Sequence, residues 1–311
     1  MDIDLLLAAP QGSYLDDALA ARFTVHRLDA VKDPVAFYRD VAPRIRAVVA
    51  GGSGFAGEVM ARLPALEIVA ANAVGYDRLD LDQARRRGIR ITNTPDVLTD
   101  DVADLAVGLM LSVIRRIAAA DRFVRDGRWH NGAFALTVPA SGRHYGLVGL
   151  GRIGRAVARR LEGFGGRISY SGPHQKADVP YGYFRTPLEL ARACDVLILC
   201  APATVSTRHL ADQAVLDALG PSGVLINIAR GSLVDEHALI DALIEGRIAG
   251  AGLDVFENEP RVPLALLSRS NVVVTPHIGS ATVSTRHAMA DLVLSNLEAW
   301  RTGRPLLTPV V

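Results

Sequence analysis

The stretch "YGLVGLGRIGRAVARRLEGF" (145–164) limits what this chain can fold into more tightly than any other. "YGLV" has the pattern of a buried strand, and the residues from Arg152 onward have that of an amphipathic helix. Between them Gly149, Gly151 and Gly154 keep the spacing GxGxxG. The first glycine permits a tight strand-to-helix turn, the second lets the backbone approach a pyrophosphate, and the third lets helix pack closely on strand. The helix start then offers amide donors and a partial positive charge to an anion. Glycines also serve ordinary turns, so the spacing alone is weak. With a strand before it and a helix after it, it reads as a dinucleotide-binding turn, with Leu150, Arg152 and Ile153 among its cofactor contacts.

The rest of the chain repeats the alternation. "IDLLLAA" (3–9), "RAVVAG" (46–51) and "LEIVAAN" (66–72) read as buried strands, with amphipathic segments at 35–42 and 79–87. Further strands are predicted near 167–171, 195–200, 223–229, 250–254 and 271–275. Helical patterns lie at 153–163, 187–193, 211–219 and 235–245, after one that begins near Thr99 and before a last one at 282–302. Strand–helix alternation of this kind implies parallel sheets covered by helices. The expected class is α/β, with two doubly wound parallel-sheet domains, the second a Rossmann dinucleotide-binding domain. The expected boundaries are 1–96 plus 283–311 for a substrate-binding domain and 97–282 for the NAD(P)-binding domain.

Charge and composition remove other classes. With 34 basic and 33 acidic residues, nothing favours a nucleic-acid partner. The longest apolar segment, "LAVGLMLSVI" (105–114), is too short to span a bilayer, and the acidic start "MDIDLLLAAP" does not read as a signal peptide. Cys194 and Cys200 lack metal or redox spacing, and the eight histidines are scattered. A cytoplasmic protein with no metal and no membrane partner is expected.

The strand after the glycine turn leads into "YSGPHQK" (170–176), where a dinucleotide site for NAD carries a carboxylate for the adenosine ribose. Ser171 removes the repulsion that a carboxylate would exert on the 2′-phosphate of NADP. Gly172 follows it, and His174 and Lys176 offer positive charge. Pro173 occupies a place where a guanidinium would grip a phosphate better, and the loop also reads as simply solvated. The balance favours NADP(H), with NAD(H) left open.

Three later segments put polar groups at strand ends, where open α/β sheets bind ligands. They are "INIARGSLVDE" (226–236), "AGLDVFENEP" (251–260) and "VTPHIGSAT" (274–282), which carry Arg230, Glu259 and His277. A rigid guanidinium can hold a carboxylate, and a carboxylate beside an imidazole can orient it for proton transfer. Taken singly each has a bland reading, as a surface arginine, a polar turn before a proline and an ordinary histidine.

Together, "VGLGRIG", "NIARGSLVDEHALIDALIEGRIAGAGLDVFENEP" and "TPHIGSAT" resemble the D-isomer-specific 2-hydroxyacid dehydrogenases. The likeness also takes in "NAVGYDRLDL" (72–81) and "TPDVLTDDVADLAVGLML" (94–111), and within the family it leans toward the glyoxylate/hydroxypyruvate and hydroxyphenylpyruvate reductases. The resemblance implies that Arg230, Glu259 and His277 are catalytic and that Asp254 contacts the nicotinamide. It further implies substrate contacts at Val74, Gly75 and Ser53, cofactor contacts at Ile228, Ala229, Arg230, His277 and Gly279, and a homodimer paired near 101–117. The implied reaction is NADPH-dependent reduction of a small 2-oxo acid to a D-2-hydroxy acid, with His277 as proton donor. Hydroxyphenylpyruvate reductase is the alternative within the family. A cofactor-sensing corepressor-like binding protein is the alternative outside enzymes, since the same architecture serves both.

Overall fold

The structure is a computed structural model that describes residues 3–52 and 54–311. It divides into two compact units, Met1–Leu98 with Thr282–Val311, and Thr99–Ala281.

The first unit is built on five parallel strands: β1 (Asp4–Leu7), β2 (Thr24–Arg27), β3 (Ile45–Ala50), β4 (Ile68–Ala71) and β5 (Arg90–Thr92). Their order is β2-β1-β3-β4-β5. Successive residues of one strand serve opposite faces. Leu5, Leu7, Ala47, Val49, Ile68 and Ala70 pack with Val293, Leu297 and Trp300 of the Val283–Arg301 helix. Leu6, Val48, Ala50, Val69 and Ala71 pack instead with Met60, Leu63 and Ala84. Each face is therefore closed by helix, which explains why these strands read as unbroken apolar runs. A fully buried Leu or Val contributes roughly 1.5–3 kcal/mol, so the Val283–Arg301 helix is held by its packed face more than by helix propensity. Its start is set by Thr282, whose side chain accepts a hydrogen bond from the Thr285 amide.

The amphipathic segment at 35–42 departs from expectation. It holds a short Pro34–Ala36 helix, a Phe37–Val41 π-turn and an Ala42–Arg44 3-10 turn. Pro43 supplies no amide to continue the ladder, so the segment tightens and ends there.

The second unit has seven parallel strands: β6 (Tyr145–Val148), β7 (Ile168–Ser171), β8 (Gly182–Phe184), β9 (Val196–Leu199), β10 (Val224–Asn227), β11 (Gly250–Leu253) and β12 (Val272–Val274). The order β12-β11-β10-β9-β6-β7-β8 starts at β6, runs outward to β8 and returns to β9 on the other side. The chain thus reverses direction between β6 and β9, and the crevice beyond the strand ends at such a reversal is where open sheets take ligands. Leu197, Leu199, Leu225, Ala251 and Leu253 pack on one face. On the other, the Thr99–Ile114 helix comes so close that a Cβ on Gly252 would lie 3.1 Å from Leu109 Cβ. That helix turns Val102, Ala103, Ala106, Leu109, Met110 and Val113 inward, so much of its apolar surface is used within the unit.

Strands β2, β5 and β8 lacked a legible apolar run. Neither β2 nor β8 has a buried residue, and β5 has three residues in all.

Candidate active site

The loops that follow β10, β11 and β12 carry the three predicted side chains of the second unit. β10 ends at Asn227, which is buried. Its side-chain amide donates to the Arg230 carbonyl at 2.8 Å, and its side-chain oxygen accepts from the Ala229 amide at 3.1 Å. Asn227 therefore staples the Ile228–Ala229–Arg230 turn and sets where the guanidinium leaves the backbone. The residue after Arg230 must be glycine, because a Cβ on Gly231 would lie 1.9 Å from the Phe256 carbonyl carbon. That close approach draws the Arg230 turn against the segment bearing Glu259.

His277 is held from two directions. Its Nδ1 lies 2.9 Å from Glu259 Oε2, while Glu259 Oε1 accepts the Phe256 amide at 3.0 Å. With Nδ1 directed at the carboxylate, Nε2 is the ring nitrogen left to exchange a proton with a ligand. The backbone at His277 is left-handed (φ 54°), a conformation that costs a non-glycine residue energy unless its surroundings impose it. Asp254 supplies that constraint. Its backbone carbonyl accepts the His277 amide at 2.9 Å. Its buried carboxylate accepts from Thr275 Oγ1 at 2.6 Å, the Ile278 amide at 2.8 Å and the Gly279 amide at 2.9 Å. Hydrogen bonds to a charged group contribute roughly 1.5–3 kcal/mol each, enough to hold a strained turn. The resemblance assigns Asp254 to the nicotinamide; the geometry gives it the shaping of the histidine loop.

The glycine turn after β6 fits a dinucleotide. Gly149 has φ 93°, and a Cβ on it would lie 2.9 Å from the Ala201 backbone. A Cβ on Gly154 would fall 2.2 Å from the Gly149 carbonyl oxygen, so the Arg152–Glu162 helix packs directly on the turn. Gly151, between them, has nothing within 4 Å of its Cβ position and caps the helix with no side-chain hydrogen bond. The space for a phosphate is open there, and no capping side chain competes for the first helical amides.

The loop after β7 is looser. Ser171 is buried inside the sheet, and its hydroxyl has no hydrogen-bond partner among the described residues. It is thus turned away from solvent, and Gly172 is the first partly exposed position, its carbonyl accepting from Tyr183 at 3.0 Å. His174 is exposed, and the Lys176 amide donates to the Tyr170 hydroxyl at 2.6 Å. Farther on, Asp178 pairs with Arg155 at 2.9 Å, and that guanidinium's hydrogen bond holds the Asp178 carboxyl below the usual range. Neither member of this pair was singled out from sequence, because an Arg and an Asp 23 residues apart carry no local signal.

In the first unit Val74 and Gly75 follow β4, both partly buried, with the Val74 carbonyl accepting from Asn93 at 2.9 Å. Ser53 lies outside the described residues. Gly54 adopts φ 81°, and its backbone comes close against Arg78.

Comparisons with known proteins bear on this arrangement. Residues 107–279 match the family described as D-isomer specific 2-hydroxyacid dehydrogenase, NAD binding domain. The chain is 50% identical over 310 residues to the glyoxylate/hydroxypyruvate reductase A HPR2 of Arabidopsis thaliana, covering 99% of each chain. It is equally 50% identical over 310 residues, 99% of each, to the hydroxyphenylpyruvate reductase of Plectranthus scutellarioides. Among solved structures it is similar to an NADPH-dependent glyoxylate/hydroxypyruvate reductase of Sinorhizobium meliloti, crystallised with NADP and malonate. The TM-score is 0.94 at 44% identity, covering 100% of this chain and 97% of that one.

Proposed function

The chain belongs to the D-isomer-specific 2-hydroxyacid dehydrogenases, and from that membership we propose that it is an NADPH-preferring reductase of small 2-oxo acids, glyoxylate and hydroxypyruvate foremost, to D-2-hydroxy acids. The observation that carries the reading is the His277–Glu259 pair, which sets Nε2 to give a proton at the same C-terminal end of the parallel strands as Arg230. The Arg230 guanidinium grips the substrate carboxylate and orients the carbonyl. The glycine turn would hold NADPH, which when bound would supply the hydride. His277 gives its Nε2 proton to the carbonyl oxygen as the carbon is reduced, and Glu259 keeps the ring in the one orientation that permits this. In the first unit the amides of Val74 and Gly75, with Ser53, are the proposed carboxylate donors. Asp254 and Gly279 bound the nicotinamide side, and Lys176 and His174 serve the 2′-phosphate.

The test is a matrix of NADPH and NADH against glyoxylate, hydroxypyruvate and 4-hydroxyphenylpyruvate, followed by absorbance of the reduced cofactor. The highest kcat/KM is expected with NADPH and a small 2-oxo acid. A maximum with 4-hydroxyphenylpyruvate would support the second reading, which the equal identity to the Plectranthus enzyme favours. Tight cofactor binding with no turnover on any 2-oxo acid would leave a cofactor sensor instead.

A cytoplasmic homodimer is proposed with this activity. Among the described residues no helix is long and apolar enough to cross a membrane. The Thr99–Ile114 helix buries one face within its unit, whereas Trp129 is 67% and Leu136 100% exposed, which favours pairing through the segment after that helix. Light scattering is expected to give a dimer mass, and Leu136→Arg is expected to shift it toward monomer.

A further inference from the structure

The turn after β11 holds two glutamates that face two different histidines. Glu259 meets His277, and Glu257, two residues earlier, lies 2.6 Å from His209 Nε2 through its Oε1. Both histidines have left-handed backbones, φ 50° at His209 and 54° at His277. Each is fixed by its own amide, His209 to the Ser232 carbonyl at 2.8 Å and His277 to the Asp254 carbonyl at 2.9 Å. That conformation costs a non-glycine residue energy, so the surroundings impose the backbone at both positions.

We propose that His209 and Glu257 form a second imidazole–carboxylate pair that positions the Glu259 turn, and through it the orientation of His277. This rests on the reading of His277 as proton donor. The two are positioning residues, since His209 Nε2 is directed at Glu257 and Glu257 reaches the reaction through the turn it shares with Glu259. Residues 255–260 belong to no strand or helix; burial of Val255 and Phe256 fixes their start, and the turn beyond has one backbone bond among the described residues, the Arg261 amide on the Asn258 carbonyl at 2.8 Å, beside its side-chain contacts. Among the described residues no other side chain hydrogen-bonds the Glu257 carboxylate. The Glu257 amide reaches Glu236 Oε2 only at 3.4 Å, a weak tether. Glu236 is itself held above the usual carboxyl range by burial, with the Glu257 charge adding to the effect. Without the His209 donor, Glu257 would face a second carboxyl group with nothing to hold it, and the turn would relax away. The same histidine ties its loop to Ser232, two residues beyond Arg230, so it adds a second link between the Arg230 and Glu259 turns to the Gly231–Phe256 contact.

His209→Ala is expected to lower kcat for 2-oxo acid reduction about tenfold, since small displacements of a reacting group cost up to ~100-fold, with KM changed less than about twofold. His209→Gln, which can still donate to Glu257, is expected to recover at least half of kcat. In the cofactor-free protein, amide exchange across 255–260 is expected to quicken in His209→Ala and not in His209→Gln. The double variant with Glu257→Ala is expected to be no slower than the slower single variant. A folded His209→Ala with wild-type kcat and wild-type exchange overturns the inference, as do losses that multiply in the double variant or an effect on KM alone. Should His209→Ala fail to fold, Glu257→Ala must show the same kcat loss and faster exchange; wild-type behaviour in it is equally fatal. His277→Ala serves as the reference. If it retains hydride transfer, the functional reading fails; if it is inactive while His209→Ala is normal, only this inference fails.

Discussion

Two strand-end loops of the same seven-stranded sheet are built to different tolerances. The loop after β12 carries His277 with its backbone strained and its fold imposed by Asp254, whose carboxylate accepts three hydrogen bonds. The loop after β7 is tied by the Lys176 amide, the Gly172 carbonyl and the Arg155–Asp178 pair, and most of its residues are exposed. The contrast matches the tasks proposed for them. Proton transfer needs a donor fixed within a fraction of an ångström, whereas choosing between two cofactors that differ by one phosphate needs space and charge. A rigid corner tolerates few substitutions; an open loop can be retuned without disturbing the fold.

The largest expected effect comes from breaking the rigid side. Asp254→Ala removes the acceptor for three donors, and single-turnover reduction is expected to slow about 10²- to 10³-fold with the cofactor still bound. A rate within about threefold of wild type would show that the His277 loop holds its shape without Asp254, and the contrast would collapse. An intermediate effect is expected at the open side. Gly172→Asp places a carboxylate at the first partly exposed position after β7, and the ratio of kcat/KM for NADPH over NADH is expected to fall about tenfold, equivalent to about 1.4 kcal/mol. Unchanged preference would move cofactor selection elsewhere. The smallest effect is expected from Asp178→Asn. Because Arg155 holds that carboxyl low, the ion pair persists through the ordinary carboxylate range and is lost only as the pH falls through the depressed value. The pair is solvent-exposed, so melting near neutral pH is expected to stay unchanged, with a cofactor ratio shifted less than about threefold.

Much of this was legible in the sequence. The apolar runs at 3–9, 46–51, 66–72 and from 145 onward correspond to strands buried on both faces, because burial demands apolar residues and burial on two sides demands them without alternation. The edge strands β2 and β8 escaped notice since one side meets solvent and the pattern dilutes. Arg230, Glu259 and His277 stood out because each sits in a motif at a strand end. Asn227, Thr275 and the His209–Glu257 pair did not, since their meaning lies in partners 3, 21 and 48 positions away. Ser171 was conspicuous as the residue replacing an acid, yet its hydroxyl is enclosed by the sheet, and Gly172 is the position that meets solvent.

By itself the sequence determined the α/β class, the phosphate turn and the residues able to carry the chemistry. Local rules suffice for those: hydrophobic period, glycine sterics and the chemical character of side chains at strand ends. Only the tertiary structure decided that Glu257 meets His209, that Asp254 builds the His277 loop, and that Ser171 faces inward. Such contacts depend on where distant strand ends meet, and hydrogen bonds acting over a few ångströms settle them once the sheet has brought those ends together.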